Sequence, residues 1–306
     1  MRVRAVVALL ALGSVWGSSF LFIKVIVEEI APLELVVGRL ALGTLAVWPV
    51  LLYRRLPLRR SPTLLAKVAV LALLGMVAPF ALIAWAEVHI DSGVASVLNS
   101  TMPLWTSLFA AAVLLEERFT AGRVAGLAGG FVGVIVLTGG DIWRVTENDV
   151  LGQLAVVGAS MCYGAAAVFA RTLLRSEEPL SLSAIQLALA TALTIPIALA
   201  VEGVPDLSGL SAKGALALVP LGLLGTGLGY IAYLWLVDNT GSVRASLVTY
   251  VVPVVGLLLG WAVLDEGIGV NTLVGAALII VGVAAVVSSG SAPTAQRVVP
   301  AAAPAD

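Results

Sequence analysis

Arg39, in the segment "PLELVVGRLALGTLAVWP", is the basic residue set deepest inside an apolar run of this chain. It lies seven positions beyond Pro32, about 10 Å along a helix axis at ~1.5 Å per residue. An arginine near the centre of a membrane-crossing helix costs about 3 kcal/mol on insertion scales, so a charge placed there points to function. Its planar guanidinium can hold a carboxylate through two parallel hydrogen bonds. The competing reading has the guanidinium reach toward headgroups along its aliphatic stem. Trp16, Trp105, Tyr163, Tyr230, Tyr233 and Tyr250 fall near the middle of apolar runs, away from the interfaces where membrane aromatics collect. An apolar cavity with a few polar tips suits a small metabolite, although such rings also simply fill space between helices. Ser18, Asn99, Tyr163, Gln186 and Tyr250 add hydrogen-bonding capacity. The expected substrate contacts are Arg39 with Trp16, Ser18, Asn99, Trp105, Tyr163, Gln186, Tyr230 and Tyr250.

Other chemistry is poorly provided for. The single His89 rules out a multi-histidine metal site, and the single Cys162 rules out an intrachain disulfide. Neither a metal nor another cofactor is expected. A net charge of −1 gives no electrostatic case for a nucleic-acid partner. Glu34, Glu87, Glu116, Asp238 and Glu266 all fall near the ends of apolar runs, so no carboxylate relay through the midplane is visible, and coupling to an ion is either absent or involves Glu87 or Glu34. Membrane enzymes present a cluster of His, Asp or Glu at one interface, which is not seen here, so the expectation is a protein that is not an enzyme. The stretch "GTGLGY" lacks the spacing of a dinucleotide loop and follows no soluble strand.

The elements that must position these residues are membrane helices. The chain has 306 residues, of which 60% are apolar and only 11% charged, where a soluble domain carries roughly 25% charge. Ten apolar runs are each about long enough to cross ~30 Å of hydrocarbon: 5–27, 32–53, 64–86, 92–115, 120–139, 150–173, 180–201, 214–237, 242–264 and 270–288. Pro103 and Pro253 lie midway along their runs. Each is expected to break its helix and free the carbonyl four residues earlier, at Asn99 and Thr249. Pro79 and Gly229 mark matching break positions in the third and eighth runs. Gly13/Gly17, Gly122/Gly126, Gly129/Gly133, Gly225/Gly229 and Gly256/Gly260 are small-residue pairs that let helices approach closely. The basic leader could pass for a signal peptide, but that segment has an internal counterpart and is expected to be retained.

That counterpart belongs to a repeat. At an offset of 147, residues 32–49 match 179–196 at eight of eighteen positions, and Arg39 falls on Gln186. After a three-residue shift, 71–85 lies on 221–235, Pro103 on Pro253 and Glu116 on Glu266. The units are 1–140 and 150–289, with a connecting loop at 141–149 and a Pro/Ala-rich tail at 290–306 that reads as disordered. Five spans per unit is an odd number, so the second copy must lie inverted, an architecture found in many secondary transporters. Placing both termini in the cytoplasm puts Arg2, Arg4, Arg54, Arg55, Arg59, Arg60, Lys67, Arg118, Arg123, Arg171, Arg175, Arg244 and Arg297 inside, as the positive-inside rule favours. The expected fold is an all-α integral membrane protein of ten transmembrane helices, as two inverted five-helix repeats with both termini in. Glu116 and Glu266 are expected to hold loop amides or basic groups.

The tandem pattern resembles the EamA-type members of the drug/metabolite transporter superfamily. It rests on "SGVAS" or "GSVRAS", then a mid-helix proline, then "LEER" or "LDEG", then a glycine-rich helix ending "GGFVGVIVL" or "GAALIIVGVAAVV". The resemblance covers about 285 residues and both halves. It implies a ten-helix bundle moving small metabolites across the cytoplasmic membrane, often as an amino-acid or drug exporter. The expected partners are a small-molecule substrate and the lipid bilayer. Spans five and ten read as peripheral supports or as homodimer contacts. Drug efflux and ligand sensing without transport are the rival readings, and a basic cavity disfavours cationic drugs.

Overall fold

The computed structural model describes residues 3–56, 61–113, 120–139 and 147–288. Glu116, the segment 140–146 and the C-terminal tail lie outside the described residues. Among those described there is helix and no strand. In hydrocarbon the backbone has no water to bond, and a helix satisfies it within the segment. The helices are α1 (Val3–Val27), α2 (Pro32–Tyr53), α3 (Pro62–Ala72), α4 (Ala78–Glu87), α5 (Ser92–Asn99), α6 (Met102–Val113) and α7 (Ala121–Gly139). They continue with α8 (Glu147–Leu173), α9 (Pro179–Val201), α10 (Ala212–Pro220), α11 (Gly229–Thr240), α12 (Ser242–Ala245), α13 (Val248–Leu264) and α14 (Val270–Ser288).

Proline starts α2, α3 and α9, where its missing N–H goes unmissed. Among the described residues, seven continuous segments are long and apolar enough to cross a membrane: Val3–Val27, Pro32–Tyr53, Pro62–Glu87, Asp149–Leu173, Pro179–Val201, Ala212–Thr240 and Val270–Ser288. Their outward faces carry exposed Leu45, Leu216 and Val281, a surface whose natural solvent is lipid.

Two of these segments contain π-helical stretches, Leu73–Val77 between α3 and α4 and Leu221–Leu228 between α10 and α11. There the Ala78 N–H reaches back five residues to the Leu73 carbonyl, and the Gly229 N–H to that of Leu224. Pro79 and Gly229 therefore follow widened turns. The other two predicted breaks differ from each other. Pro103 is the second residue of α6, and the helix breaks before it at Ser100–Thr101. Pro253 stays inside α13, and its stretch is interrupted earlier, at Ser246–Leu247. A proline near a helix start loses no bond it would have made, so Pro103 opens a helix where Pro253 merely rides in one.

Close approaches fix the helix directions. Gly126 meets the Gly282 carbonyl and Gly133 that of Gly275, so α7 and α14 run antiparallel. Gly13 faces Val251 and Gly17 faces Val255, so α1 and α13 run in the same direction. Ser160 faces Leu98 and Asn99, and Gly164 faces Trp105, so α8 runs with α5 and α6. The core between these helices is built on fully buried Ile26, Leu35, Leu40, Met76, Leu98, Leu187 and Leu221.

Candidate functional site

Helix α2 presents Arg39 to the interior. Its first turn is pinned by Glu202, whose carboxylate accepts from the Leu33 N–H at 3.0 Å and the Glu34 N–H at 3.2 Å. Arg39 is only 7% exposed, so its stem does not carry the charge out to a headgroup. Its Nε donates to the Thr226 hydroxyl at 3.0 Å, in the second π-helical stretch. Its Cζ lies 3.7 Å from the centroid of the Phe80 ring, a cation–π contact that orients the guanidinium plane. Phe80 meets Tyr163 edge-on with centroids 6.5 Å apart. Tyr163, Tyr230 and Glu87 lie within electrostatic reach of the charge. Among the described residues Nε makes the only hydrogen bond of this guanidinium, which leaves the terminal nitrogens to meet a ligand.

Side chains from other elements hold the second π-helical stretch and the turn leading into the first. Trp16 Nε1 donates to the Gly225 carbonyl at 2.9 Å. The Thr226 hydroxyl that receives Arg39 donates onward to the Leu221 carbonyl at 3.2 Å. Gln186 Nε2 donates to the Leu71 carbonyl at 3.2 Å. Leu71 and Leu221 are equivalent in the sequence repeat, as are Arg39 and Gln186. Thr44 and Thr191, also equivalent, touch each other through their hydroxyls at 3.1 Å.

The structure thus gathers Arg39, Tyr163 and Tyr230, with Trp16 alongside on the same π-helical stretch and against Tyr233 at 5.6 Å between centroids. The remaining expected contacts are engaged elsewhere or stand apart. The Ser18 hydroxyl donates to Val15 of its own helix at 3.0 Å, and the Gln186 amide is taken by Leu71. Trp105 packs against Phe131 of α7 and Phe109, with centroids 4.9 and 6.2 Å away. The Asn99 carbonyl, near the break before Pro103, receives the Ser160 hydroxyl at 3.4 Å, while its side-chain oxygen has no partner among the described residues. Tyr250 packs half-buried against the main core.

Sequence reasoning missed Phe80, Thr226, Lys24 and the depth of Glu87. Phe80 had a signal, since the repeat places it on Tyr230. Glu87 ends α4, yet it is completely buried, because its position along the axis says nothing of what covers it from the side. Lys24 of α1 donates to the main-chain carbonyls of Glu87 at 2.7 Å and Ile90 at 3.1 Å.

Glu266 holds the start of α5, accepting from the Ser92 N–H at 2.7 Å and the Gly93 N–H at 2.9 Å; this is the amide-holding role expected of it. One surface cavity is lined by Leu64, Glu177, Glu178, Ser181 and Ile185, and an apolar groove by Thr44, Leu45, Trp48, Pro49, Leu52 and Ala188. Neither is lined by Arg39, which is buried between the helices. Among the described residues no group of three His, Cys, Asp or Glu side chains could hold a metal ion.

Comparison with known proteins places these features in context. The EamA-like transporter family matches residues 3–139 and 150–288. The chain is 25% identical over 281 residues to the uncharacterized transporter YoaV of Bacillus subtilis, covering 92% of this chain and 96% of that one. It is 30% identical over 277 residues to the uncharacterized inner membrane transporter YedA of Escherichia coli K12, covering 87% and 83%. It is 29% identical over 284 residues to a probable terminal-alkyne amino-acid exporter of Streptantibioticus cattleyicolor, covering 92% of each. A crystal structure at 21% identity superposes with a TM-score of 0.65 over 94% of this chain and 98% of that one, which shows a common fold.

Proposed function

Since the chain belongs to the EamA-like transporter family and is a multi-pass protein of the cell membrane, we propose that it exports a small, carboxylate-bearing, amino-acid-like metabolite by alternating access around Arg39. The observation that carries this reading is the guanidinium itself. It is buried, tied at Nε to Thr226, laid on Phe80 and left with terminal nitrogens free for a carboxylate. Fixing the fork in advance lowers the ordering cost of binding. Tyr163, Tyr230 and Trp16 supply the apolar walls and polar tips of the site. The relative named as a probable amino-acid exporter supports the cargo class and the direction.

The architecture proposed is ten transmembrane helices in two inverted five-helix repeats with both termini in the cytoplasm. Three observations support it. Thr44 touches its own repeat equivalent, as residues on a two-fold axis do. The α7–α14 contact is reciprocal, Gly126 with Gly282 and Gly133 with Gly275, which is the mark of an isologous pairing. The basic residues favour this orientation. Two similar halves of opposite orientation can exchange conformations, turning an inward cavity outward.

The test compares metabolites in medium and cytosol from cells carrying wild type, Arg39→Ala, Arg39→Lys or empty vector. A carboxylate-bearing compound should accumulate outside with wild type, fall to the vector level with Arg39→Ala and recover only partly with Arg39→Lys, which keeps the charge and loses the fork. Arg39→Ala exporting like wild type would refute the anchor, and four indistinguishable profiles would refute constitutive export.

A further inference from the structure

Four carboxylates at helix ends are well provided with donors. Glu29 accepts from the Ser211 N–H and hydroxyl. Glu178 accepts from the N–H groups of Leu180 and Ser181, Glu202 from those of Leu33 and Glu34, and Glu266 from those of Ser92 and Gly93. Glu87 is the contrast. It is completely buried, and neither carboxylate oxygen has a hydrogen-bond partner among the described residues.

Charged groups surround it without bonding it. Lys24 of α1, Arg39 of α2 and Glu266, in the α13–α14 connection, lie within electrostatic reach. The Lys24 ammonium spends its bonds on the main-chain carbonyls of Glu87 and Ile90. In the following loop His89 packs edge-on against Trp85. There too Asp91 lies within electrostatic reach of Glu266, Lys24 and Asp149 of α8. From α8 and α11, Tyr163 and Tyr230 face the same Arg39. A buried anion with no donor is poorly tolerated in a protein interior, where the group neutralises instead.

From this geometry we infer that Glu87 is the proton-binding site of the transport cycle: it carries a proton in the closed conformation and releases it when the interior opens to water. The inference rests on the export reading above. On opening, the Glu87 O–H bond breaks, the proton passes to water and the carboxylate keeps the electron pair. Lys24, already beside the Glu87 main chain, is the counter-ion for the anion so formed. Reprotonation closes the cycle, so that a proton leaves together with each exported cargo molecule, the cargo gradient driving both. Arg39 and Glu87 interact electrostatically, so a carboxylate arriving at Arg39 weakens the cationic field that favours ionised Glu87, and cargo and proton are thermodynamically linked.

The test uses full-length wild type, Glu87→Gln and Glu266→Gln. Glutamine copies the shape of the neutral acid, so Glu87→Gln should keep the closed fold. Infrared spectra in nanodiscs at neutral pH should show a protonated-carboxyl C=O stretch in wild type and Glu266→Gln that is lost in Glu87→Gln. In proteoliposomes with an acidic exterior, a mixture of radiolabelled amino acids added outside should accumulate through wild type. Glu87→Gln should lose that gradient-driven accumulation entirely while still exchanging label against unlabelled amino acid. Absence of the infrared band from wild type, its survival in Glu87→Gln, or gradient-driven accumulation by Glu87→Gln would each overturn the inference. If wild type moves no label in either mode, the amino-acid reading fails, and the infrared band alone then decides whether Glu87 holds a proton.

Discussion

Substituting alanine at Gly282 tests the packing of α7 on α14 at its tightest point. A Cβ there would stand 2.5 Å from the Gly130 nitrogen, 2.6 Å from the Gly126 carbonyl oxygen and 2.7 Å from the Gly130 Cα. All three atoms are backbone, so no side chain can rotate away, and the helices must part by about 1 Å to reach ordinary carbon contact. Overpacking of this kind costs about 1–3 kcal/mol. Gly129 is the internal control, because it lies on α7 one position from Gly130 and a Cβ there meets nothing within 4 Å. Gly129→Ala should be neutral or should stabilise by up to about 1 kcal/mol through helix propensity. The two variants should therefore differ by about 1–4 kcal/mol in unfolding free energy, measured by denaturant titration in mixed micelles. Equal stability of Gly282→Ala and Gly129→Ala would refute the close crossing, and with it the reciprocal contact that supports two-fold related halves.

Two further outcomes follow from named bonds. Thr226→Val keeps the shape of the side chain but removes the acceptor of Arg39 Nε and the donor to Leu221; it should destabilise by about 1–3 kcal/mol and raise the cargo concentration needed for half-maximal export more than it lowers the maximal rate, a split that kinetics in proteoliposomes will resolve. In the α1–α2 connection, hydrogen bonds from the Ser211 hydroxyl and N–H, with help from Lys213, hold the Glu29 carboxyl below its usual range. A depressed folded value stabilises above the unfolded pKa of about 4.3 and is lost as pH falls through the folded one. The melting-temperature gap between wild type and Glu29→Gln should thus be constant near neutrality and close under acid; a gap that persists in acid would contradict the bonding.

Much of the helical layout was legible, because its signals are local. Long apolar runs bounded by Pro32, Pro62, Pro179 and charged connectors became helices with nearly the expected ends. The run at 92–115 is helical at Ser92–Asn99 and Met102–Val113, parted before Pro103 much as its proline suggested. Arg39 was legible for the same reason, since a lone charge stands out in hydrocarbon. Its setting was not. Phe80 and Thr226 reach it from α4 and the second π-helical stretch, and nothing local in "MVAPFALIAW" or "LLGTGLGY" tells which face turns toward α2. The π-helical stretches were hidden as well, because a shift from four-residue to five-residue bonding leaves the apolar composition unchanged. Nor does the local sequence announce that the Gln186 amide donates to the Leu71 carbonyl.

The two π-helical stretches also explain why equivalent positions carry different residues. A widened turn bonds its backbone less well, so its carbonyls need outside donors to stay buried. Just ahead of the first stretch Gln186 meets that need, at the Leu71 carbonyl of α3. At the second the equivalent Leu221 carbonyl is served by Thr226, and Arg39 holds Thr226. A neutral amide would have sufficed in both halves if packing were the whole purpose. The guanidinium adds a charge that burial makes costly and a second set of donors that the backbone does not use. That surplus lies in one half only, beside Phe80, Tyr163, Tyr230 and the unbonded Glu87. In the proposed cycle, departure from the symmetry of the repeat is therefore where cargo is recognised, while the symmetric remainder lets the halves exchange shapes.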